Sequence, residues 1–337
     1  MPVNRRTPLY PVPRLDLSAA ISDDTRRDVT AETACDLLSV SAHYRRAYRA
    51  MPAAALLEAS HAHLSLVLTL NPAWQAQPVR HVLLRSAGEA AILTAALLGT
   101  DLARCSDALP YLALAQDVAR KNRDPDLAAV VLACRAFLTG FSGGSPVRAA
   151  DFAEAAVNVS IDDGASPTTR GWVAAVSSEQ LAVLGDERQS RVRLDTARSA
   201  LAEQEADQAW AGVGTFDSAK VIAYEGGNLV RLGRYGDAVT VLDTALKALE
   251  PAMHRHRCST ALIDRAEAYL AAGQVDASCA DAAAALSIAA HTEHALSVQR
   301  VHHLAERALP TNAVSARRLW AEVLAATATF RHSPSSR

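Results

Sequence analysis

An all-α fold, a right-handed solenoid of helical hairpins with no sheet, is what this sequence predicts, and three observations predict it. Half of the 337 residues are hydrophobic but only 5% are aromatic, a balance that suits helices packed through alanine and leucine rather than a strand-rich core. Long segments keep apolar residues at helical spacing, separated by short breaks rich in Pro, Gly or Asn. Glycines followed at fixed distances by small or apolar residues recur along the chain, as in a repeat architecture.

The first element, residues 1–29, holds Pro2, Pro8, Pro11 and Pro13. Each removes a backbone donor and holds its predecessor extended, so an extended arm is expected. Helical spacing begins at Thr30 with TAETACDLLSVSAHYRRAYRA, continues in PAAALLEASHAHLSLVLTL, whose proline fits a first turn, and then in QPVRHVLLRSAGEAAILTAALLG. The solenoid is expected over residues 30–330, and residues 331–337, RHSPSSR, read as a disordered tail.

The turn glycines Gly144, Gly185, Gly233 and Gly273 stand about 41, 48 and 40 residues apart. Nine residues beyond them lie Ala153, Leu194, Leu242 and Ala282; twelve beyond lie Ala156, Ala197, Ala245 and Ala285. A more degenerate copy fits GEAAILTAALLGTDLARCSDALPYLALAQDVA. The clearest copy is YEGGNLVRLGRYGDAVTVLDTAL, from Tyr224 to Leu246. A glycine inside a helix costs about 1 kcal/mol relative to alanine, and close approach of a neighbouring helix at Gly226 supplies the compensation. A phosphate loop would instead follow a strand and carry G-x-x-x-x-G-K-[ST], which EGGN does not.

The order of small position, turn glycine and second-helix alanines resembles a tetratricopeptide repeat, although the spacings exceed its roughly 34 residues. GTFDSAKVIAYEGGNLVRLGRYGDAVTVLDTAL, LLSVSAHYRRAYRAMPAAALLEASHAHL and HRHRCSTALIDRAEAYLAAGQVDASCADAAAAL resemble the tetratricopeptide region of actinobacterial Cro/C1-type (XRE-like) helix-turn-helix regulators, over most of Thr30 to about Leu324. The resemblance implies a regulatory protein, in transcriptional or secondary-metabolism control, whose repeats sense a peptide, a partner protein or a small molecule. The first thirty residues hold no counterpart of those regulators' DNA-binding domain, so the expectation is a free-standing sensor or adaptor.

Other classes fit less well. A net charge of −2 and a pI near 6.6 supply no basic surplus for autonomous nucleic-acid binding. No uninterrupted apolar run approaches the roughly 18–20 residues of a membrane span, and the N-terminus lacks an apolar signal core, so a cytoplasmic address without membrane contact is expected. Cys35, Cys105, Cys134, Cys258 and Cys279 are scattered singly, which suits free buried thiols. GFSGG, from Gly140 to Gly144, matches the nucleophile elbow G-x-S-x-G at Ser142, but it follows a helical pattern and not a strand. His254, His256, His291, His294, His302 and His303 gather late in the chain without a metal-ligand spacing, and Asp23–Asp24 and Asp162–Asp163 lie in polar, turn-rich sequence. No metal and no cofactor are expected; the GVG near Gly214 lacks the third glycine of a dinucleotide fingerprint.

The binding surface is expected on the concave side, lined by the first helix of each hairpin. Positions turned away from Gly226 and Leu229 are Lys220, Tyr224, Asn228 and Arg231, with Arg135, then Trp172 and Glu179, then Asp264 and Glu267 in neighbouring copies. These side chains suit an extended peptide: Asn228 for its backbone, Lys220 and Arg231 for a carboxylate, Trp172 or Tyr224 for an apolar side chain. Trp210 and Phe216, in one long loop of an aromatic-poor chain, either plug a gap or line the groove. The partner classes are a peptide, a protein or a small-molecule signal. A homodimer built through the solenoid and an enzyme of repeat fold acting on a small molecule are the alternatives.

Overall fold

A computed structural model describes residues 28–48, 51–70, 75–203, 210–211, 213–249 and 251–332. Most of the expected arm, with Asp23 and Asp24, and residues 333–337 of the expected tail lie outside the described residues. Of the described residues 85% are helical, and each helix packs against its neighbours in sequence order. The first helices are α1 (Ala31–Ala47), α2 (Ala53–Thr69) and α3 (Gln77–Ala96), which runs on into a π turn, Leu97–Asp101. Then follow α4 (Cys105–Asn122), α5 (Pro125–Phe141), α6 (Pro146–Asp162), α7 (Pro167–Val183) and α8 (Glu187–Ala202). The second half holds α9 (Ser218–Arg231), α10 (Tyr235–Ala248), α11 (Pro251–Ala271), α12 (Val275–Thr292), α13 (Ala295–Ala308) and α14 (Val314–His332).

The sequence sets these limits through caps. The side chains of Thr30, Asp124, Ser145, Ser166, Asp186 and Asp217 accept backbone N–H groups at the starts of α1, α5, α6, α7, α8 and α9, and proline occupies the first turn of α3, α5, α6 and α7. Gly185, Gly233 and Gly273 end α7, α9 and α11 with φ of 81°, 75° and 75°, the left-handed region that a Cβ resists. In the turn after α5 that role falls to Gly143, φ 72°, and not to Gly144. All eight aligned positions from Ala153 to Ala285 are buried.

Gly226 answers to its expected role: a Cβ there would lie 2.5 Å from Leu242 Cγ, so α10 rests on the glycine. Gly227 serves the other side, where a Cβ would meet the Asp264 carboxylate of α11 at 2.8 Å. Three apolar clusters follow one another along the chain, the first reaching Tyr224, the second spanning Ala223 to Ala268 and the third Ile263 to Val323.

One expectation changes. A two-residue antiparallel pair, β1 (Trp210–Ala211) and β2 (Gly214–Thr215), interrupts the helices between α8 and α9, with Trp210 opposite Thr215, so the helical array is not wholly without sheet. Gln77–Asp101 is long and apolar enough by composition to span a bilayer, with mean hydropathy 1.5, despite Arg85 and Glu89 within it; 83% of its apolar window is buried. It is packed by α1, α2, α4 and α5.

Candidate functional site

The array bends until its early helices meet its late ones. Glu293, just past α12, accepts the Ala54 N–H at the start of α2 at 2.9 Å, and the Tyr48 ring stacks on His256 of α11 with centroids 4.6 Å apart. Between the two sets of helices lies a cavity of about 220 Å³. One wall, from α3, α4, α5 and α7, presents Ala95, Ala96, Leu112, Phe137, Leu138 and Trp172. The other, from β2, α9, α11 and α13, presents Lys220, Arg231, Arg255, Arg257, His256 and Arg300.

The charged wall is an alternating network. Arg231 donates to Glu179 at 2.6 Å and to the Gly227 carbonyl at 2.7 Å, and lies 3.9 Å from Asp264. Arg300 donates to Asp264 at 2.6 Å and to Glu267 at 3.0 Å. Burial pushes the Asp264 carboxyl up, but Arg300 and Arg231 outweigh it and hold the pKa below the usual carboxylate range. The Arg257 guanidinium lies 4.0 Å from the centroid of the Tyr224 ring. Burial works against its charge, while Tyr224, Glu179 and Asp264 more than compensate and raise its pKa. Burial raises the Tyr224 pKa, so its hydroxyl keeps its proton, and Arg257 and Trp172 both reach that hydroxyl.

At the junction of early and late helices sits Asp101, wholly buried at the end of the π turn. Tyr48 donates to its Oδ2 at 3.0 Å. His256 Nε2 comes within 3.2 Å of Oδ1 but off hydrogen-bond alignment, which leaves that oxygen without a hydrogen-bond partner. His294 Nε2 is 4.0 Å from the same oxygen; its Nδ1 lies 2.8 Å from Ser297 Oγ and accepts the Ser297 N–H at 3.3 Å, capping α13. Burial lowers the His294 pKa to about 4, against the pull of Asp101. Cys134, also on the cavity, is pushed up to about 12 by burial and stays a thiol.

Of the residues chosen from sequence, Trp172, Glu179, Lys220, Tyr224 and Arg231 come together on this cavity. Asp264 and Glu267 lie on an adjoining pocket with Arg231 and Arg300. Asn228 is placed elsewhere: it is 2% exposed, and its amide donates to Ser178 of α7 at 3.0 Å and Ser190 of α8 at 3.2 Å. It ties helices together and is not part of the cavity lining. Arg135 also points away, its guanidinium 6.0 Å from the Phe152 ring of α6. Phe216 is the plug of the two readings, buried at 1% against Gly171 and Tyr224. Trp210 lends its backbone to β1.

Sequence reasoning missed Tyr48, Asp101, Arg255, Arg257 and Arg300. Three of them belong to the late, histidine- and arginine-rich helices, and the local sign was the alternation HRHR that begins at the kink residue His254 in α11. The His254 ring pairs with Asp217 at 2.8 Å, so this histidine is held inside the structure. No cluster of three or more His, Cys, Asp or Glu side chains suited to a metal occurs among the described residues. Ser142 caps the end of α5 with its hydroxyl on the Thr139 carbonyl at 3.3 Å, in a helix-to-helix turn and without the strand a nucleophile elbow needs. No protein-family model and no curated protein matches the chain.

Proposed function

We propose that this chain is a regulatory or adaptor protein, a right-handed α-solenoid of tetratricopeptide-like hairpins that binds a peptide, a partner protein or a small-molecule signal on its inner face. The observation that carries this reading is the convergence of first helices: α5, α7, α9, α11 and α13 each send side chains into one cavity. Curved helical arrays use their inner face in this way for recognition. We assign the activity to transcriptional or secondary-metabolism control in the cytoplasm, and the resemblance to repeat regions of regulators is what supports this assignment.

A repeat-fold enzyme is the second reading, favoured by the line Ser297–His294–Asp101 beside the cavity. Against it, the His294 Nδ1 that would take the serine proton also receives the Ser297 N–H, and a pKa near 4 makes it a weak base at neutral pH.

Affinity capture from the native cell, followed by mass spectrometry, tests the first reading. A stoichiometric protein, peptide or metabolite is expected with the native chain and with Arg318→Gln on α14, and it is expected to be lost with Ala96→Trp, which fills the cavity. Capture unchanged by Ala96→Trp, in a variant that keeps its helical circular dichroism, overturns it.

A further inference from the structure

Arg231 and Arg300 are matched by Glu179, Asp264 and Glu267, and Lys220 donates to the Thr215 carbonyl. Arg257 and Arg255, both on the cavity, have no carboxylate within ion-pair distance among the described residues. Arg257 is held in place by the Tyr224 ring under its face, which leaves guanidinium edges for a planar acceptor. Glu179 and Asp264 favour the Arg257 charge from beyond ion-pair distance, so a carboxylate entering the cavity would be the first acidic group in contact with it.

Arg257 and Trp172 both interact with the Tyr224 hydroxyl, so the cationic and aromatic walls meet at one residue. Beyond Trp172, Phe137 lies 6.1 Å away, centroid to centroid, and continues the apolar wall. An apolar cavity of about 150 Å³ holds one benzene; about 220 Å³ therefore leaves room for a ring and a short arm. Glu179 in the lining opposes a doubly charged group and favours a single negative charge.

Resting on the binding function proposed above, we infer that the cavity takes an apolar carboxylic acid about the size of phenylpropionate, free or as the C-terminal residue of a peptide. Its carboxylate lies on Arg257, with Arg255 as the second cation, and its hydrocarbon body lies against Trp172 and Phe137.

Isothermal titration calorimetry of the full chain with 3-phenylpropionate, 3-phenylpropionamide, the tripeptide Ala-Ala-Phe and its C-terminal amide tests this. At least one acid is expected to bind, at least tenfold more tightly than its amide, and more weakly as salt rises. Binding of phenylpropionate identifies a free acid as the source; binding of the tripeptide alone identifies a peptide terminus. Arg257→Gln is expected to erase the preference for acid over amide, Arg257→Lys to reduce it, and Arg318→Gln to retain it. Failure of both acids to bind, equal binding of acid and amide, or a preference that survives Arg257→Gln overturns the proposal. If Ala96→Trp still abolishes partner capture after such a result, the ligand class is wrong and the binding function stands; if capture is also indifferent to Ala96→Trp, the binding function falls with it.

Discussion

On the α3–α7 side the cavity is walled by Leu112, Phe137 and Leu138, each covered by further apolar residues of the same cluster; on the α9–α13 side Arg231, Arg257 and Arg300 rest on Glu179, Asp264 and Tyr224. The first wall gains its stability from buried area, so each residue contributes in proportion to what it covers. The second is stable only while its charges remain matched, because removing one member leaves another buried and unpaired. The same cavity therefore has one wall that is tolerant of small changes and one that responds to single charges and to pH.

The largest expected effect comes from breaking the charged wall. Asp264→Ala leaves Arg300 and Arg231 facing each other and is expected to lower unfolding free energy by about 3–5 kcal/mol in urea titrations. A loss below about 1 kcal/mol would show that water, and not Asp264, compensates these arginines.

A somewhat smaller effect is expected from pH. The folded pKa of His294, about 4, is below the ordinary histidine value of 6.5, so the folded state binds fewer protons than the unfolded chain between the two. Stability is intact above about pH 6.5 and is lost as pH falls towards 4, by roughly 3 kcal/mol in total. His294→Asn, which keeps a capping side chain, is expected to flatten this window in urea midpoints measured between pH 7 and 4.5. Below it, protonation of Asp264, whose folded pKa is depressed, removes a further contribution.

The smallest effects sharpen the contrast between packing and space. Gly226→Ala drives a methyl against Leu242 and is expected to cost about 1–3 kcal/mol. At Gly236, where nothing lies within 4 Å, the same change is expected to add about 0.5 kcal/mol. Thermal melts of the two variants, shifting in opposite directions, are the check.

Turn glycines and recurrent small residues made the helical hairpins legible in the sequence, because close packing at Gly226 and left-handed φ at Gly185, Gly233 and Gly273 leave few alternatives. The inner face was legible in part. At about 100° per residue, Arg231 and Tyr224 fall within about 40° of Lys220, but Asn228 has rotated about 80° and meets α7 and α8 instead. The Tyr48–Asp101–His256–His294 junction could not be seen locally, since α1, the π turn, α11 and α13 are brought together only by the curvature of the whole array.

The hydrogen bond from Ala54 to Glu293 joins residues 239 positions apart. An open repeat array can grow from any point through neighbouring contacts and can fray from either end. Here the last hairpins have to be in place before the first can be fastened to them, so closure is a late, long-range event with a high loop-entropy cost. Once made, it fastens the first hairpin to the later ones, and a hairpin added or deleted between them would bring Glu293 to the wrong azimuth for Ala54. The number of hairpins is thus as much a part of the cavity as the residues that line it.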